Sequence, residues 1–184
     1  MRDRILQTAT VQFVERGYDG VSMREIAEAC GITKAALYYH FAGKAELLAQ
    51  IFSDYLDQIA ELVEQCQARP GSVEDRVRWL IGRIFEMPAE QRAIIRLAPH
   101  DFARLNEDAQ RTFGKSYYGR FLQPLGALLA EGAASGELRP IDPDLGTWML
   151  LGLLYPFLAP PAAEVAPEDT VTQLVDVFFH GAAR

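Results

Sequence analysis

The sequence predicts an all-α protein in which a small N-terminal group of three helices is followed by a larger helical bundle. Three observations predict it. Apolar residues recur at spacings of three and four, alternating runs of Val, Ile and Thr are missing, and no repeat of about 20 to 50 residues is visible. A chain of 184 residues suits one globular domain, or a small module fused to a larger one.

The first helix is expected from Arg2 to Arg16, with Ile5, Leu6, Ala9 and Phe13 on its inner face and Gly17 ending it. After the turn Tyr18-Asp19-Gly20, Ser22 stands three residues before Glu25, the spacing of a capping box, so a short helix starts there. Its inner face is Ile26, Ala27 and Cys30. Gly31 allows a sharp reversal, and Thr33 caps a second short helix that carries Leu37 and Phe41 inward. From Lys44 a long helix of about 22 residues places Leu48, Phe52, Tyr55, Ile59, Leu62 and Cys66 in one stripe. Further helices are expected near 72–87, 89–105, 107–134, 142–158 and 168–182, with Pro99 and Pro124 as candidate kinks. The boundary between modules is expected within the long helix, giving domains 1–46 and 47–184.

The composition is that of an ordinary globular protein, 49% hydrophobic and 23% charged, which excludes disordered and fibrous classes. Cys30 and Cys66 form no CxxC pair, so neither a disulfide framework nor a four-ligand zinc site is expected, and a reducing cytoplasm fits. Asp3 and Arg4 interrupt any secretory core, so no export is expected. The apolar run Trp148 to Ala163 is shorter than a membrane span and contains three prolines, so it reads as a buried or interface helix. The formal charge of -7 lies wholly beyond residue 46, because residues 1–46 carry six basic and six acidic side chains. Bulk electrostatics therefore repel nucleic acid unless a local patch on the first segment prevails.

Two short helices joined by a tight glycine turn, with a third packed across them, form a helix-turn-helix, whose second short helix enters the DNA major groove. By that geometry the reader is Thr33 to His40. With Leu37 and Phe41 facing inward, Thr33, Lys34, Ala35 and Ala36 face outward near the N-terminus, and Tyr38, Tyr39 and His40 follow. Lys34 suits guanine or phosphate, and the two alanines permit close approach and contact with thymine methyls. The tyrosine hydroxyls, the imidazole and the Lys44 charge suit backbone contacts that set register. Packing is the competing reading for the two tyrosines, as plain solvation is for Lys34 and Lys44.

The stretch SxREIAEACGITKAALYYHFAGKAELL, from Ser22 to Leu48, resembles the DNA-binding domain of the TetR family of transcriptional regulators, and Phe13, Gly17 and Tyr18 fit the same pattern. The resemblance covers about the first 50 residues. It implies a homodimeric all-helical regulator, a repressor of a palindromic operator, whose C-terminal domain dimerises and binds a small, mainly apolar or aromatic effector. The positions matching the family's DNA contacts are Met23, Arg24, Thr33 to Ala36, Tyr38 to His40, and Lys44. Gly43 departs from the usual polar cap, and only Met1 precedes Arg2, so no basic arm for the minor groove is expected.

The C-terminal part resembles the family in outline, chiefly through Glu131 to Asp142 with its GELRPID run. Effector-binding candidates are Trp79, Phe85, His100, Phe102, Tyr117 and Phe121, on helices that would surround a cavity in this fold; ordinary core packing is the competing reading. Dimer-interface candidates are Leu125, Leu128, Leu129, Trp148, Leu151, Leu154 and Tyr155, because helices near 115–134 and 142–158 carry more apolar surface than a lone monomer tolerates. Cys30 reads as a small buried thiol, having no basic neighbour to activate it. No HExxH, GxSxG, P-loop or dinucleotide fingerprint is present, so no enzyme, metal or cofactor is expected. A DNA-binding organiser without an effector would share the N-terminal module and need no cavity.

Overall fold

The computed structural model describes residues 1–158 and 167–181, apart from the side chains of 95–100 and 167. All regular structure among the described residues is helical: α1 (Arg2–Arg16), α2 (Met23–Ala29), α3 (Lys34–His40), α4 (Lys44–Ala68), α5 (Val73–Glu86), α6 (Ala89–Asp101), α7 (Glu107–Tyr117), α8 (Gln123–Ser135), α9 (Pro143–Leu154) and α10 (Pro167–His180). No helix among them is long and apolar enough to cross a membrane.

Local chemistry sets the helix ends. Ser22 and Glu25 complete the expected capping box of α2, and the Thr33 hydroxyl accepts from the Ala36 amide at 3.1 Å to cap α3. Ser72, Asn106 and Asp142 cap α5, α7 and α9 in the same way. Gly43 offers α4 no side-chain cap, and α4 runs 25 residues, ending two residues beyond Cys66, the last of the apolar stripe.

The helical backbone of α6 continues past Pro99. At Pro124 the outcome is different: Tyr118–Leu122 is a wide π turn, in which the Gln123 amide donates five residues back to the Tyr118 carbonyl. Proline lacks an amide hydrogen and its ring crowds the carbonyl four residues earlier, so a wide turn just before it preserves the helical course.

Two hydrophobic cores meet along α4. One joins Ile5, Phe13, Ile26, Leu37, Phe41, Leu48 and Phe52, and takes in Ile94 and Leu105 from beyond α4; the other joins Leu56, Ile59 and Val63 to α5, α8, α9 and α10. The changeover falls between Phe52 and Leu56. The α8 helix packs on α4, α5 and α9 together. Leu125, Leu128 and Leu129 are consequently 2%, 1% and 0% exposed within the single chain. These three side chains, expected at a dimer interface, are instead enclosed within the single chain, because they face α4, α5 and α9. The buried Arg76 offsets its desolvation with a two-pronged bond to Glu131 at 2.7 and 2.9 Å.

Cys30 and Cys66 are free and buried. Burial pushes the Cys66 thiol up to about 11, and the thiol sits 3.2 Å from the Arg76 carbonyl.

Candidate DNA interface and ligand cavity

Caps, turns and the α4 start hold α3 in place. The Arg4 guanidinium donates to the Cys30 carbonyl at 2.5 Å, fixing the end of α2 against α1. The Arg16 side chain donates to Glu25 at 2.7 Å and to the Gly20 carbonyl. Ser22 and Arg16 together hold the Glu25 carboxyl down at about 2, so it stays ionised as part of the cap.

On α3, Thr33, Lys34, Ala35, Tyr38 and Tyr39 are exposed, while Ala36 and His40 are half-buried. Tyr39 stands 87% exposed, and its ring meets His40 edge-on at 5.4 Å. The Lys34 ammonium lies 5.5 Å from the centre of the Tyr38 ring. Lys34, Tyr38, Arg24 and Lys44 share one shallow cleft with the loop Asp19–Ser22. Arg24 pairs with Glu28 at 3.2 Å on the exposed side of α2, where solvent makes such a pair weak.

Two of the expected contact residues are placed otherwise. Met23 is 8% exposed and belongs to the core under α2, since the first helical position after the Ser22 cap turns inward. Lys44 donates to the carbonyls of Tyr18 and Val21 at 2.7 and 2.8 Å, and its ammonium lies over the Tyr18 ring. It clamps the α1–α2 loop to α4 and is not a free cation awaiting a phosphate.

The second feature is a cavity of about 520 Å³ between α4, α5, α6, α7 and α9. Of the candidates expected from sequence, Phe102, Tyr117 and Phe121 line it. Trp79 does not; it is half-buried under Arg69, whose guanidinium lies 4.5 Å from the ring centre. Phe85 packs in the C-terminal core beside Arg92, one helical position round from Ile84, which is the residue of that turn facing the cavity. His100 lies outside the described side chains. Trp148, Leu151, Leu154 and Tyr155, expected at a dimer interface, all line the cavity, since α9 closes over it; Leu151 and Leu154 are only 3% and 4% exposed. Trp148 remains 52% exposed and so faces both ways.

Phe52, Tyr55, Phe113 and Gly114 also belong to the wall, and sequence reading placed none of them in a cavity. Tyr55 sat in an apolar stripe, where only its hydroxyl set it apart from ordinary core. Aromatic rings run continuously from the N-terminal core into this wall: Phe52 to Phe113 at 5.6 Å, Phe113 to Tyr117 at 5.9 Å, and Tyr117 to Phe121 at 5.3 Å. Phe102 joins at Phe113, 5.7 Å away. The next residue but one, Arg104, pairs with Asp19 in the α1–α2 loop.

A third feature is an exposed apolar strip on α9, where Leu145, Trp148 and Met149 are 56%, 52% and 50% exposed; on α10, Val177 is 40% exposed. No group of three His, Cys, Asp or Glu side chains suited to a metal ion occurs among the described residues.

Residues 5–51 match the bacterial regulatory proteins of the tetR family. The chain is 28% identical over 145 residues to the HTH-type transcriptional repressor KstR2 of Mycolicibacterium smegmatis, covering 78% of this chain and 71% of that protein. Its fold superposes on AibR, solved in complex with isovaleryl coenzyme A and operator DNA, with a TM-score of 0.84, 25% identity and 97% of each chain covered. It also superposes on a transcriptional regulator of the TetR/AcrR family from Thermobifida fusca YX-ER1, with a TM-score of 0.73 and 29% identity over 100% of this chain and 98% of that one. With the helix-turn-helix and its caps in place, residues 5–51 form a DNA-binding domain of the TetR family of bacterial regulatory proteins, and the whole chain has the fold of a solved TetR/AcrR-family regulator.

Proposed function

We propose that this protein is a transcriptional repressor that binds a palindromic operator as a homodimer, reads it with α3, and is released when a small apolar molecule enters the cavity. The observation that carries the reading is the double membership of the cavity wall. Phe52 belongs to the core of the helix-turn-helix module and Phe113 packs on both cores, yet both face the cavity. A molecule lodged there touches the framework that sets the position of α3. It weakens DNA binding to the extent that it binds one spacing of the two reading helices better than another.

On α3, Lys34, Tyr38 and Tyr39 are the assigned DNA contacts, with Thr33, Ala35 and Ala36 permitting close approach. The exposed strip Leu145, Trp148, Met149 and Val177 is the assigned dimer surface, because a monomer would leave it in water. The likeness to AibR, solved with operator DNA and isovaleryl coenzyme A, supports a protein that engages both an operator and a small molecule with an apolar part.

The test combines operator selection with a plugged cavity. A random duplex library is selected on the protein, and affinity for the recovered palindrome is measured with and without isovaleryl coenzyme A and neutral aromatic compounds. Gly114 is part of the cavity wall and a Cβ added there meets no atom within 4 Å, so Gly114→Leu adds bulk at the cavity edge from a helix that tolerates it. The expected result is undiminished operator binding with lost response to compounds. Failure to enrich any palindrome at moderate salt overturns the reading.

A further inference from the structure

We infer that the hydroxyls of Tyr55, Tyr117 and Tyr155 form the polar end of the cavity and receive the carbonyl oxygen of an otherwise apolar ligand, uncharged where it enters. The inference rests on the cavity being a ligand site and adds the class of ligand it takes.

Counting hydrogens leads to the carbonyl. Each tyrosine hydroxyl brings one hydrogen. The Tyr117 and Tyr155 oxygens lie 3.2 Å apart, so one hydrogen is used between them and the second has no acceptor among the described residues. The Tyr55 hydroxyl oxygen is shielded from solvent and has no hydrogen-bond partner at all. All three side chains line the same cavity, whose other described walls are aliphatic or aromatic. Native interiors rarely leave a buried hydroxyl unpaired, and one carried by a residue of a ligand-sized cavity's wall can be satisfied by what fills that cavity. A carbonyl oxygen has two lone pairs and no hydrogen, which complements the two hydroxyl hydrogens left without an acceptor.

Protonation points the same way. Burial raises the pKa of all three phenols, and the neighbouring hydroxyls reinforce the rise at Tyr55 and Tyr117. They therefore remain donors at neutral pH. A carboxylate would have to shed its hydration in an apolar enclosure, whereas a ketone, ester or thioester carbonyl sheds far less. The rings of Phe113 and Tyr117 stack within 16° of parallel, a flat wall suited to an aromatic or fused-ring body beside that carbonyl.

The experiment uses the full-length chain and three probes with one body: benzophenone, diphenylmethane, which replaces the carbonyl by a methylene, and diphenylacetate, which carries a charge. Calorimetric titration is run on the native protein, Tyr55→Phe and Tyr155→Phe, with the unfolding midpoint of each as the check on folding. Benzophenone should bind the native protein about tenfold tighter than diphenylmethane, the discrimination one or two good hydrogen bonds supply. Tyr55→Phe should reduce that preference by weakening benzophenone alone, while its own unfolding midpoint stays the same or rises because an unpaired hydroxyl is gone. Equal binding of benzophenone and diphenylmethane, a preference undiminished in Tyr55→Phe, tightest binding of diphenylacetate, or saturable binding of none overturns the assignment. Operator affinity is followed in parallel. Tyr55-dependent binding without operator release keeps the hydroxyl assignment and overturns the repressor switch. Release by benzophenone that is equal in native protein and Tyr55→Phe keeps the switch and overturns the hydroxyl assignment.

Discussion

The Lys44 ammonium lies 4.1 Å from the centre of the Tyr18 ring and donates to the Tyr18 carbonyl at 2.7 Å, so the first residue of α4 holds the loop between α1 and α2. A cation occupied in this way contributes to stability more than to phosphate attraction. Replacing Lys44 with Met removes two charge-assisted bonds and a cation–π contact, and should lower the unfolding free energy by about 1–3 kcal/mol in urea titrations. The salt dependence of operator binding should keep its slope.

Lys34 provides the contrast, since its ammonium lies beside an exposed tyrosine ring on the outer face of α3. Lys34→Ala should weaken operator binding and reduce the slope of log affinity against log salt by about one unit per half-site. Fluorescence anisotropy at several salt concentrations measures both, and an unchanged slope would remove Lys34 from the phosphate contacts.

Glu25 is held at about 2 by its bonds to Ser22 and Arg16. A carboxyl depressed on folding contributes stability that is complete above its unfolded value, near 4.5, and is lost as pH falls through its folded value. The difference in unfolding midpoint between native protein and Glu25→Gln should therefore be constant at neutral pH and shrink between about 4.5 and 2. A difference that persists undiminished at the acid end would assign the effect to packing.

Arg104 and Asp19 link the segment beside the cavity to the loop before α2. Both side chains are half or more exposed, so the pair itself is worth little to stability, under about 1 kcal/mol. Arg104→Ala should leave the melting temperature and the ligand-free operator affinity nearly unchanged, and should diminish the loss of affinity on adding ligand. Unchanged response would route the coupling through Phe113 and Phe52 alone.

The strip on α9 gives a direct test of assembly. Leu145→Glu with Met149→Glu places two charges on residues that are 56% and 50% exposed, so the fold of one chain should survive. Sedimentation should shift from dimer to monomer, with operator affinity falling steeply because two half-sites are no longer engaged together.

The helix ends were legible in the sequence where one short segment carries all the chemistry. The Ser22–Glu25 box, the Thr33 cap and the Asp142 cap each act within three residues, so each could be read without knowing the fold. Periodicity likewise identified Leu37 and Phe41 as inward-facing, which by elimination set Lys34 and Tyr39 outward. Pro124 was visible as a disturbance, although the wide turn that accommodates it was not.

Tertiary structure alone decided the rest. An apolar residue at helical spacing is directed inward, and the sequence does not state whether inward means dry core, ligand wall or partner subunit. Leu128 and Leu151 have the same local pattern, yet one is enclosed by α4, α5 and α9 and the other faces the cavity. Lys44 reads as a free charge until its carbonyl partners, 23 and 26 residues away, are brought to it. Tyr55 reads as core until α7 and α9 bring Tyr117 and Tyr155 to the same cavity. Local hydrogen bonds fix where helices begin and end, whereas burial, pairing and cavities are properties of surfaces that meet only when distant helices pack.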